Sequence, residues 1–357
     1  MKQRCCNIDW LEVYCIEPLS LDRDAEYFRR HGYVVKKRDY GTPQYKEVLL
    51  LYDCDKPCYE IRRLPYSLKC QGGIFALGSC HIRLANRACY APSAIDNLRR
   101  FLILHNYIYR NISRIDICLD FQQFDNLMTP NNVVKKYMKG DISKINQCKV
   151  AAHGQDAWDG RTWNSLKWGS QTSSISTKLY NKSLEMRDVK RKFYIEDIWK
   201  EAGLDEKKDT WRVEFSIKSD IKGYVRLDDG ELIDNKLTSY DTPDKLLHVF
   251  RILSARYFHF KKLVYNRNNE LQRKDRCPDV ELFKLSFEDK AVKPIKLTTQ
   301  TEPDRTDKLL AKRLEQIVKD ESVKYELRTH AQSLLKYYDQ YKRLPSSFLD
   351  YLIMKRE

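Results

Sequence analysis

The sequence contains little glycine and proline and no long run of apolar residues. Its 357 residues include 12 Gly and 11 Pro, which argues against a collagen-like chain, a long flexible linker or a disordered protein. No segment approaches the roughly 20 apolar residues of a membrane-spanning helix, and the first ten residues lack the apolar core of a secretory signal peptide. We therefore expect a folded protein that acts in the cytoplasm and not in a membrane.

The cysteines follow neither a disulfide pattern nor a zinc pattern. The chain has 11 Cys, an odd number, and without an export signal we expect them to stay reduced. Cys54 and Cys58 are close in sequence, with Cys70 and Cys80 further on, whereas a zinc ribbon needs two close pairs. Reduced thiols in strands and turns are the favoured interpretation.

The charge balance is strongly basic. Lys and Arg number 65 against 50 Asp and Glu, which gives a formal charge of +15. A surplus of this kind indicates an anionic partner, and the 23 Tyr that accompany it favour nucleic acid. A basic composition alone does not assign a function.

The secondary-structure signals predict an α+β fold. Short alternating segments bounded by turn residues are typical of antiparallel strands, and they dominate the N-terminal half. We predict an antiparallel sheet with helices packed on one face and an open polar face, followed by a helical C-terminal region. Individual elements include a strand at 78–90, a strand at 174–182 and a single helix at 187–202. The predicted domains are residues 1–230, a mixed or helical extension at 231–295, and a helical region at 296–357.

Three predicted strands carry the most informative polar residues. Their polar sets are Arg114, Asp116, Cys118 and Asp120 on the first, Arg212, Glu214, Ser216 and Lys218 on the second, and Lys178, Tyr180 and Lys182 on the third. Apolar residues alternate with them, so each strand has one apolar and one polar face. The charges could be only the solvated face of a sheet. Asp is a poor strand former, however, so two of them in one strand need another explanation.

A divalent cation would explain these carboxylates, because hard cations prefer oxygen ligands. Asp116 and Asp120 are four residues apart, or roughly 13 Å along a strand, so we do not expect them to bind the same ion directly. One is expected to be a ligand and the other to hold an arginine or support the ligand. Glu214 on a neighbouring strand is a further candidate ligand.

Tyr180 lies between two lysines. A phenol is a weak nucleophile until it is activated. Lys178 and Lys182 would favour the phenolate and hold a phosphate, and a nearby metal would polarise a phosphoryl oxygen. Together these features make the chemistry of a nuclease that forms a phosphotyrosine. The alternative is a strand tyrosine with lysine neighbours, one of 23 in the chain.

The same segments resemble the replication-initiation-factor family, the rolling-circle replication initiators (Rep_trans type) of plasmids and mobile elements. The motifs that carry the resemblance, in chain order, are Asp9-Trp10-Leu11, Arg114-Ile-Asp116 with Asp120, a Gly169-Ser170 turn before Tyr180-Asn-Lys182 with Glu185, and Arg212-Val-Glu214. They extend over residues 8–220. The wider nuclease class with similar chemistry uses a His-hydrophobic-His metal motif, which this sequence lacks, so the implied metal site would consist of carboxylates.

The resemblance implies metal-dependent, site-specific nicking and rejoining of one DNA strand at an origin, through a covalent 5′-phosphotyrosine intermediate. Mg²⁺ or Mn²⁺ is the implied cofactor. Tyr180 would be the nucleophile and Lys182 the cation beside the phosphate. The implied metal ligands are Asp116, Asp120 and Glu214, and the candidate DNA-binding residues are Arg114, Lys178 and Arg212, with the basic stretch Arg187, Lys190, Arg191 and Lys192. For that stretch, a solvated helix start is an equal alternative.

The expected partner is DNA, as an origin hairpin or a single strand. A host helicase and polymerase follow from the resemblance, and a homodimer would suit a protein that acts on a hairpin or an inverted repeat. Three other interpretations stay open: a non-catalytic DNA-binding regulator of the same fold, a relaxase for conjugative mobilisation, and a structural protein whose charged sheet face is only solvated.

Overall fold

The protein is described here by a computed structural model. The residues that it describes are 4–18, 22–66, 69–70, 73–74, 77–91, 93–145, 149–157, 160–170, 172–218, 221–222, 225–226, 232–233, 235–266, 268, 270–273, 275–283, 293–294, 298–299, 305–320 and 322–341. Among these residues, none of the helices combines the length and the hydrophobicity that a membrane span needs.

Strands and helices alternate irregularly along the chain. The strands are β1 (Arg4–Ile16), β2 (Val34–Lys37), β3 (Tyr45–Asp53), β4 (Lys56–Pro65), β5 (Lys69–Cys70), β6 (Gly73–Ile74), β7 (Ser79–Leu84), β8 (Ile108–Phe121), β9 (Ile142–Lys144), β10 (Val150–Ala157), β11 (Gly160–Trp168), β12 (Ile175–Asn181), β13 (Trp211–Lys218), β14 (Ile221–Lys222), β15 (Val225–Arg226), β16 (Leu232–Ile233), β17 (Phe260–Lys262), β18 (Asp279–Val280), β19 (Lys293–Pro294) and β20 (Thr298–Thr299). The α-helices are α1 (Ala25–Arg30), α2 (Asn86–Cys89), α3 (Ala94–Leu104), α4 (Pro130–Lys139), α5 (Lys182–Asp188), α6 (Phe193–Glu201), α7 (Pro243–Tyr257), α8 (Arg305–Lys319) and α9 (Tyr325–Tyr341). A short 3₁₀ helix covers Leu237–Ser239.

A ten-stranded sheet organises the protein. Its strand order is β10-β11-β12-β13-β8-β1-β7-β4-β3-β2, and every neighbouring pair is antiparallel. The predicted α+β class is therefore confirmed. The longest strand, β8, lies at the middle of the sheet between β13 and β1.

One face of this sheet forms the main hydrophobic core. The alternating apolar residues of the central strands point to that face, and helices pack on it. Phe250 of α7 lies with its ring centroid 5.2 Å from that of Phe215 in β13. Phe101 of α3 stacks on Tyr59 of β4 at 4.0 Å. Burying one such aromatic ring stabilises the fold by roughly 1.5–3 kcal/mol, so these helices hold the sheet from one side.

The opposite face is polar, but it is not open throughout. Trp199 of α6 is buried and donates a hydrogen bond to Asp120 of β8, with 2.7 Å between Nε1 and Oδ2. Asp120 lies on the polar face of β8, so α6 covers that end of the face. The prediction of helices on one face and an open polar face is therefore right for part of the sheet only.

Three predicted elements differ from the observed ones. The strand expected at 78–90 ends at Leu84 and helix α2 follows it, because Asn86 donates to the backbone oxygen of Asp9 at 2.6 Å and turns the chain back. The strand expected at 174–182 ends at Asn181. The helix expected at 187–202 is two helices, α5 and α6. The first begins earlier than expected, at Lys182, because Asn181 accepts a hydrogen bond from the Leu184 amide and caps it.

The chain divides into two compact units. The first comprises Met1–Tyr66 and Leu77–Thr298 and contains the ten-stranded sheet; the second comprises Ser67–Ala76 and Thr299–Glu357 and contains α8 and α9, which pack against each other. The predicted boundary near residue 295 lies beside this division. The predicted boundary near residue 230 does not separate the units, since α7 packs on the sheet.

Candidate active site

The pairing of β12, β13 and β8 gathers most of the predicted site residues. Tyr180 lies opposite Arg212, and Arg212 lies opposite Asp120. Ser216 lies opposite Asp116 in the same ladder. Residues that are directly opposite each other share a face of the sheet, so the polar residues of the three strands form one surface.

Tyr180 is buried and bonded to a carboxylate. Its hydroxyl donates to Oε2 of Glu214 at 2.9 Å, and the residue is 4% exposed. Burial, followed by the charge of Glu214, raises the pKa of Tyr180 well above its usual value. The expected preference for the phenolate is therefore absent from this arrangement, and Glu214 stands where it can accept the phenol proton.

The two lysines contact the tyrosine ring and not its oxygen. The Nζ atoms of Lys178 and Lys182 lie 3.8 and 5.4 Å from the ring centroid, which are cation–π distances. Lys182 is the first residue of α5 and not part of the strand. It is 1% exposed and donates to Oε2 of Glu185 at 2.7 Å. The predicted catalytic lysine thus lies beside Tyr180, held by a glutamate.

Glu214 occupies the most acidic part of the surface. Burial, then the charges of Asp9 and Asp116, raise its pKa from 4.5 to about 7. A carboxylate with this pKa accepts and returns a proton at neutral pH, which is the property that general base catalysis needs. Glu214 is therefore the candidate proton acceptor of the site.

We expect the Glu214→Gln variant to change how stability depends on pH in metal-free protein. Because the pKa of Glu214 is raised from 4.5 to about 7 on folding, the folded protein holds this proton more tightly than the unfolded chain. Wild-type stability should therefore fall as pH rises from 4.5 to 7, by roughly 3 kcal/mol. Gln does not titrate, so the variant should lack this loss.

Urea unfolding at several pH values, with a chelator present, measures the effect. Glu206→Gln, which removes an exposed carboxylate, is the matched control and should follow the wild-type pH profile. Equal slopes for wild type and Glu214→Gln would contradict the raised pKa.

A buried arginine organises the covered end of the polar face. Arg212 has no exposed surface; its Nε and Nη2 donate to Oδ1 and Oδ2 of Asp120 at 2.6 and 2.7 Å, and its Nη1 donates to Asp9 at 2.6 Å. Asp120 also accepts from Trp199. Asp120 therefore holds Arg212, and Arg212 pairs with two carboxylates. The metal role of Asp120 and the DNA-binding role of Arg212 stay predictions. Of the two roles expected for the strand carboxylates, Asp120 has the arginine-holding role.

Asp116 is also paired with an arginine, but at the open end of the face. Arg114 donates to Oδ1 and Oδ2 of Asp116 at 2.9 and 2.5 Å. Burial raises the pKa of Asp116 although these hydrogen bonds oppose the shift. The side chain of Arg114 is 40% exposed, so it remains accessible to a ligand.

Asp9 belongs to the site, although the sequence-based site residues did not include it. The β1–β8 ladder has a register shift between Ile8 and Trp10, and an irregularity of this kind re-aims the side chain within it. Burial alone would raise the pKa of Asp9, but Arg212, Lys182 and a hydrogen bond from Tyr90 hold it below the usual range. The available signal was an Asp inside a strand, the same signal that identified Asp116.

Three of the four residues of the predicted basic stretch already have polar partners. Arg187 pairs with Asp209, Arg191 pairs with Glu196, Lys192 donates to Asn86, and Lys190 is exposed at the end of α5. These ion pairs lie at the surface, where each contributes less than about 1 kcal/mol. A polyanion could therefore displace them at little cost.

Tyr180 and Glu214 line a cleft of about 730 Å³. Arg114, Lys167, Lys178 and Lys218 also line it. Glu185 and Asp188 line it as well, so four cations face three carboxylates, and the small excess of positive charge favours an anionic ligand. The cleft brings together the predicted nucleophile, one predicted ligand and two of the predicted DNA-binding residues.

Two of the predicted metal ligands, Asp116 and Glu214, already accept hydrogen bonds, from Arg114 and from Tyr180. Within the described parts of the chain, no three His, Cys, Asp or Glu side chains already stand as a set of metal ligands. Even so, Asp9 and Asp116 raise the pKa of Glu214, so negative potential is concentrated at that carboxylate. A divalent cation would reduce this negative potential, and Asp116 and Glu214 are the residues that could hold such an ion.

Among known proteins, the chain is similar to solved structures. No protein-family model matches the chain, and no curated protein matches it in sequence. The solved structure of a rolling circle replication initiator protein from Geobacillus stearothermophilus is similar, with a TM-score of 0.47 and 14% sequence identity over 78% of this chain and 93% of that chain. No residue role is taken from this likeness.

Proposed function

We propose that this protein nicks and rejoins one strand of DNA and acts as a rolling-circle replication initiator. The observation that carries the proposal is the hydrogen bond from Tyr180 to Glu214 at the base of a cation-lined cleft. A nucleophile bonded to a base within reach of a substrate is the general arrangement for covalent catalysis. The sequence motifs around Tyr180 and Glu214 support the same activity.

In the first step, the Oη atom of Tyr180 attacks a DNA phosphorus. A bond forms between Oη and phosphorus while the bond from phosphorus to the 3′ oxygen breaks. Glu214 takes the phenol proton, and the departing 3′ oxygen takes a proton from solvent. The protein is then joined to the 5′ phosphate and a 3′ hydroxyl is free for a polymerase. Attack by that hydroxyl reverses the step and rejoins the strand.

The cations of the cleft would bind and orient the phosphate. Lys178 and Arg114 would place positive charge beside the non-bridging oxygens, where charge develops during attack. Lys182 would join them if its bond to Glu185 opened. Mg²⁺ or Mn²⁺ would polarise a phosphoryl oxygen when bound. Asp116 would hold it, because a metal on Glu214 would lower the pKa that suits this carboxylate to accept the phenol proton. A host helicase and a polymerase are the further partners that such an initiator would need.

The direct test is a nicking assay. Purified protein with Mn²⁺ and supercoiled DNA that carries the origin of its own element should give an open-circular product and a covalent protein–DNA adduct. Joining to the 5′ end would be seen by end-labelling. Nicked DNA with no adduct, or an adduct on the 3′ end, would contradict the proposed intermediate.

A non-catalytic DNA-binding regulator is the second candidate. The burial of Tyr180 and its raised pKa favour this candidate, because both make the phenol a poorer nucleophile. DNA binding that falls steeply with salt, with no cleavage in Mg²⁺ or Mn²⁺, would support it. A relaxase would use the chemistry proposed above and differ in its DNA site.

A further inference from the structure

A cluster of arginines lies on the same face of the sheet, beyond the active-site cleft. Arg38, Arg62 and Arg83 all donate to the carboxylate of Glu60, at 2.8, 2.8 and 2.7 Å. We call these four residues the arginine cluster. The Glu60 side chain is 3% exposed, whereas the three arginine side chains are 38, 21 and 25% exposed. One buried carboxylate thus anchors three guanidinium groups that reach solvent.

Positive charge is in excess at this cluster. Arg62 also donates to Glu12 at 3.3 Å, and Glu12 is shared with His81 at 3.0 Å. Three arginines therefore face two carboxylates. Burial is the main cause that lowers the pKa of Arg83; the like charges of Arg62 and Arg38 add to the shift, whereas Glu60 and Glu12 oppose it. An added anion would relieve this repulsion.

The cluster and the cleft belong to one row across the sheet. Glu60 lies opposite Arg83, Arg83 opposite Glu12, and Glu12 opposite Arg114. Opposite residues share a face, and Arg114 lines the cleft. With strands about 4.8 Å apart, the strand of Arg83 lies roughly 19 Å from the strand of Tyr180. Arg83 and Arg114 thus alternate with Glu60 and Glu12 along this row, which runs from the cleft across the strands.

A tryptophan lies between the arginine cluster and the arginine of the cleft. The ring of Trp10 has the guanidinium carbon of Arg83 at 4.3 Å and that of Arg114 at 4.5 Å from its centroid. Such stacking restrains both arginines, so their positions are set before a ligand arrives. Preorganised guanidinium groups on a flat surface suit phosphate, which accepts two parallel hydrogen bonds from each.

We propose that the arginine cluster binds backbone phosphates of the DNA strand that flanks the phosphodiester held in the cleft. This inference rests on the proposed function for its choice of DNA as the anion. The arginine cluster and Arg114 would bind an extended single strand of DNA that crosses β4, β7, β1 and β8. The phosphate to be cleaved would lie at Tyr180. Binding would depend on charge and little on base sequence.

The test measures oligonucleotide binding by the full-length protein in a chelator, so that no cleavage occurs. Fluorescent single strands of 6 and 20 nucleotides are titrated at several salt concentrations. We expect Arg38→Gln to weaken binding of the longer strand about fivefold at 0.1 M salt and to reduce the salt slope by about 0.7, the value for one lost phosphate contact. The shorter strand, which the cleft alone can hold, should bind both proteins equally.

A second variant has the opposite expected sign. Glu60→Gln removes the anchoring charge and should tighten binding of the longer strand and steepen its salt slope. Arg29→Gln, which removes an exposed arginine of α1, is the matched control and should bind as wild type. Because Glu60→Gln could unfold the protein, Arg38→Gln decides the test alone, with a thermal melt to verify folding.

Three results would overturn the inference. The first is that Arg38→Gln and Arg29→Gln bind the longer strand equally well. The second is that folded Glu60→Gln binds the longer strand more weakly than wild type. The third is that wild type binds a polyglutamate peptide more tightly than DNA and that Arg38→Gln no longer binds the peptide. The last would indicate an acidic protein partner. If the protein nicks DNA but the variants do not show the expected binding changes, the proposed function stands and the DNA-binding role of the arginine cluster is wrong. If the variants show the expected binding changes but the protein does not nick DNA, the role of the arginine cluster stands and the proposed nuclease activity is wrong.

Discussion

The Tyr180→Phe variant should fold as wild type and form no covalent adduct with DNA. Phenylalanine keeps the buried ring and its contact with Lys178, while the only atom lost is the one that would attack phosphorus. Strand cleavage should fall below detection, since a nucleophile is not replaced by its neighbours. Adduct formation is measured with end-labelled origin DNA and Mn²⁺, by the shift of the labelled strand on a denaturing gel.

The matched control removes a hydroxyl from the other face of the sheet. Tyr59 stacks on Phe101 and its hydroxyl donates to the backbone oxygen of Asn97 at 3.3 Å. Tyr59→Phe should keep wild-type adduct formation. An adduct of undiminished yield in Tyr180→Phe would show that a different tyrosine is the nucleophile, and peptide mapping of the adduct would identify it.

The largest stability effect is expected at Arg212. Arg212→Met should lower the free energy of unfolding by about 3–5 kcal/mol, because Asp120 would stay buried without its cation. Asp120 has no exposed surface, and Trp199 would be its one remaining side-chain donor among the hydrogen bonds described above. Urea denaturation at pH 7 measures the loss. Nicking activity should also fall, since Asp9 would lose the same cation.

A double-mutant cycle separates loss of the pair from loss of packing. Arg212→Met with Asp120→Leu replaces both charges by apolar groups, which buried pairs often tolerate. We expect the double variant to be more stable than Arg212→Met alone, with a coupling of roughly 1–3 kcal/mol. Strictly additive losses would indicate that the ion pair itself contributes little and that packing dominates.

Much of the fold could be predicted, because the alternation of apolar and polar residues along a strand indicates which face of the sheet each residue occupies. The polar sets of β8 and β13 are correct in every member, since a strand has a period of two residues. The spacing of roughly 13 Å between Asp116 and Asp120 along a strand predicts separate partners, and each carboxylate does hold its own arginine, Arg114 and Arg212 respectively. The strand pattern wrongly includes Lys182, because the alternation continues through it and the helix-capping preference of Asn181 was not used.

Pairing between distant strands could not be predicted in the same way. The placement of Arg212 against Asp120, 92 residues apart, depends on strand order and register, which no local pattern contains. Asp9 and Trp199 were missed for the same reason, since each acquires its role only from a partner on another element. The arginine cluster likewise joins residues of β4, β7 and the chain after β2.

Strand β13 has a consequence for the time at which activity can arise during synthesis. It is the only neighbour that β12 and β8 share in the order of the ten-stranded sheet, so until residue 218 is made the sheet exists as two separate pieces. The same strand supplies Arg212 and Glu214. A nascent or prematurely ended chain therefore lacks both the joint and the proton acceptor, and the activity that we propose would arise only after one late, non-local folding step.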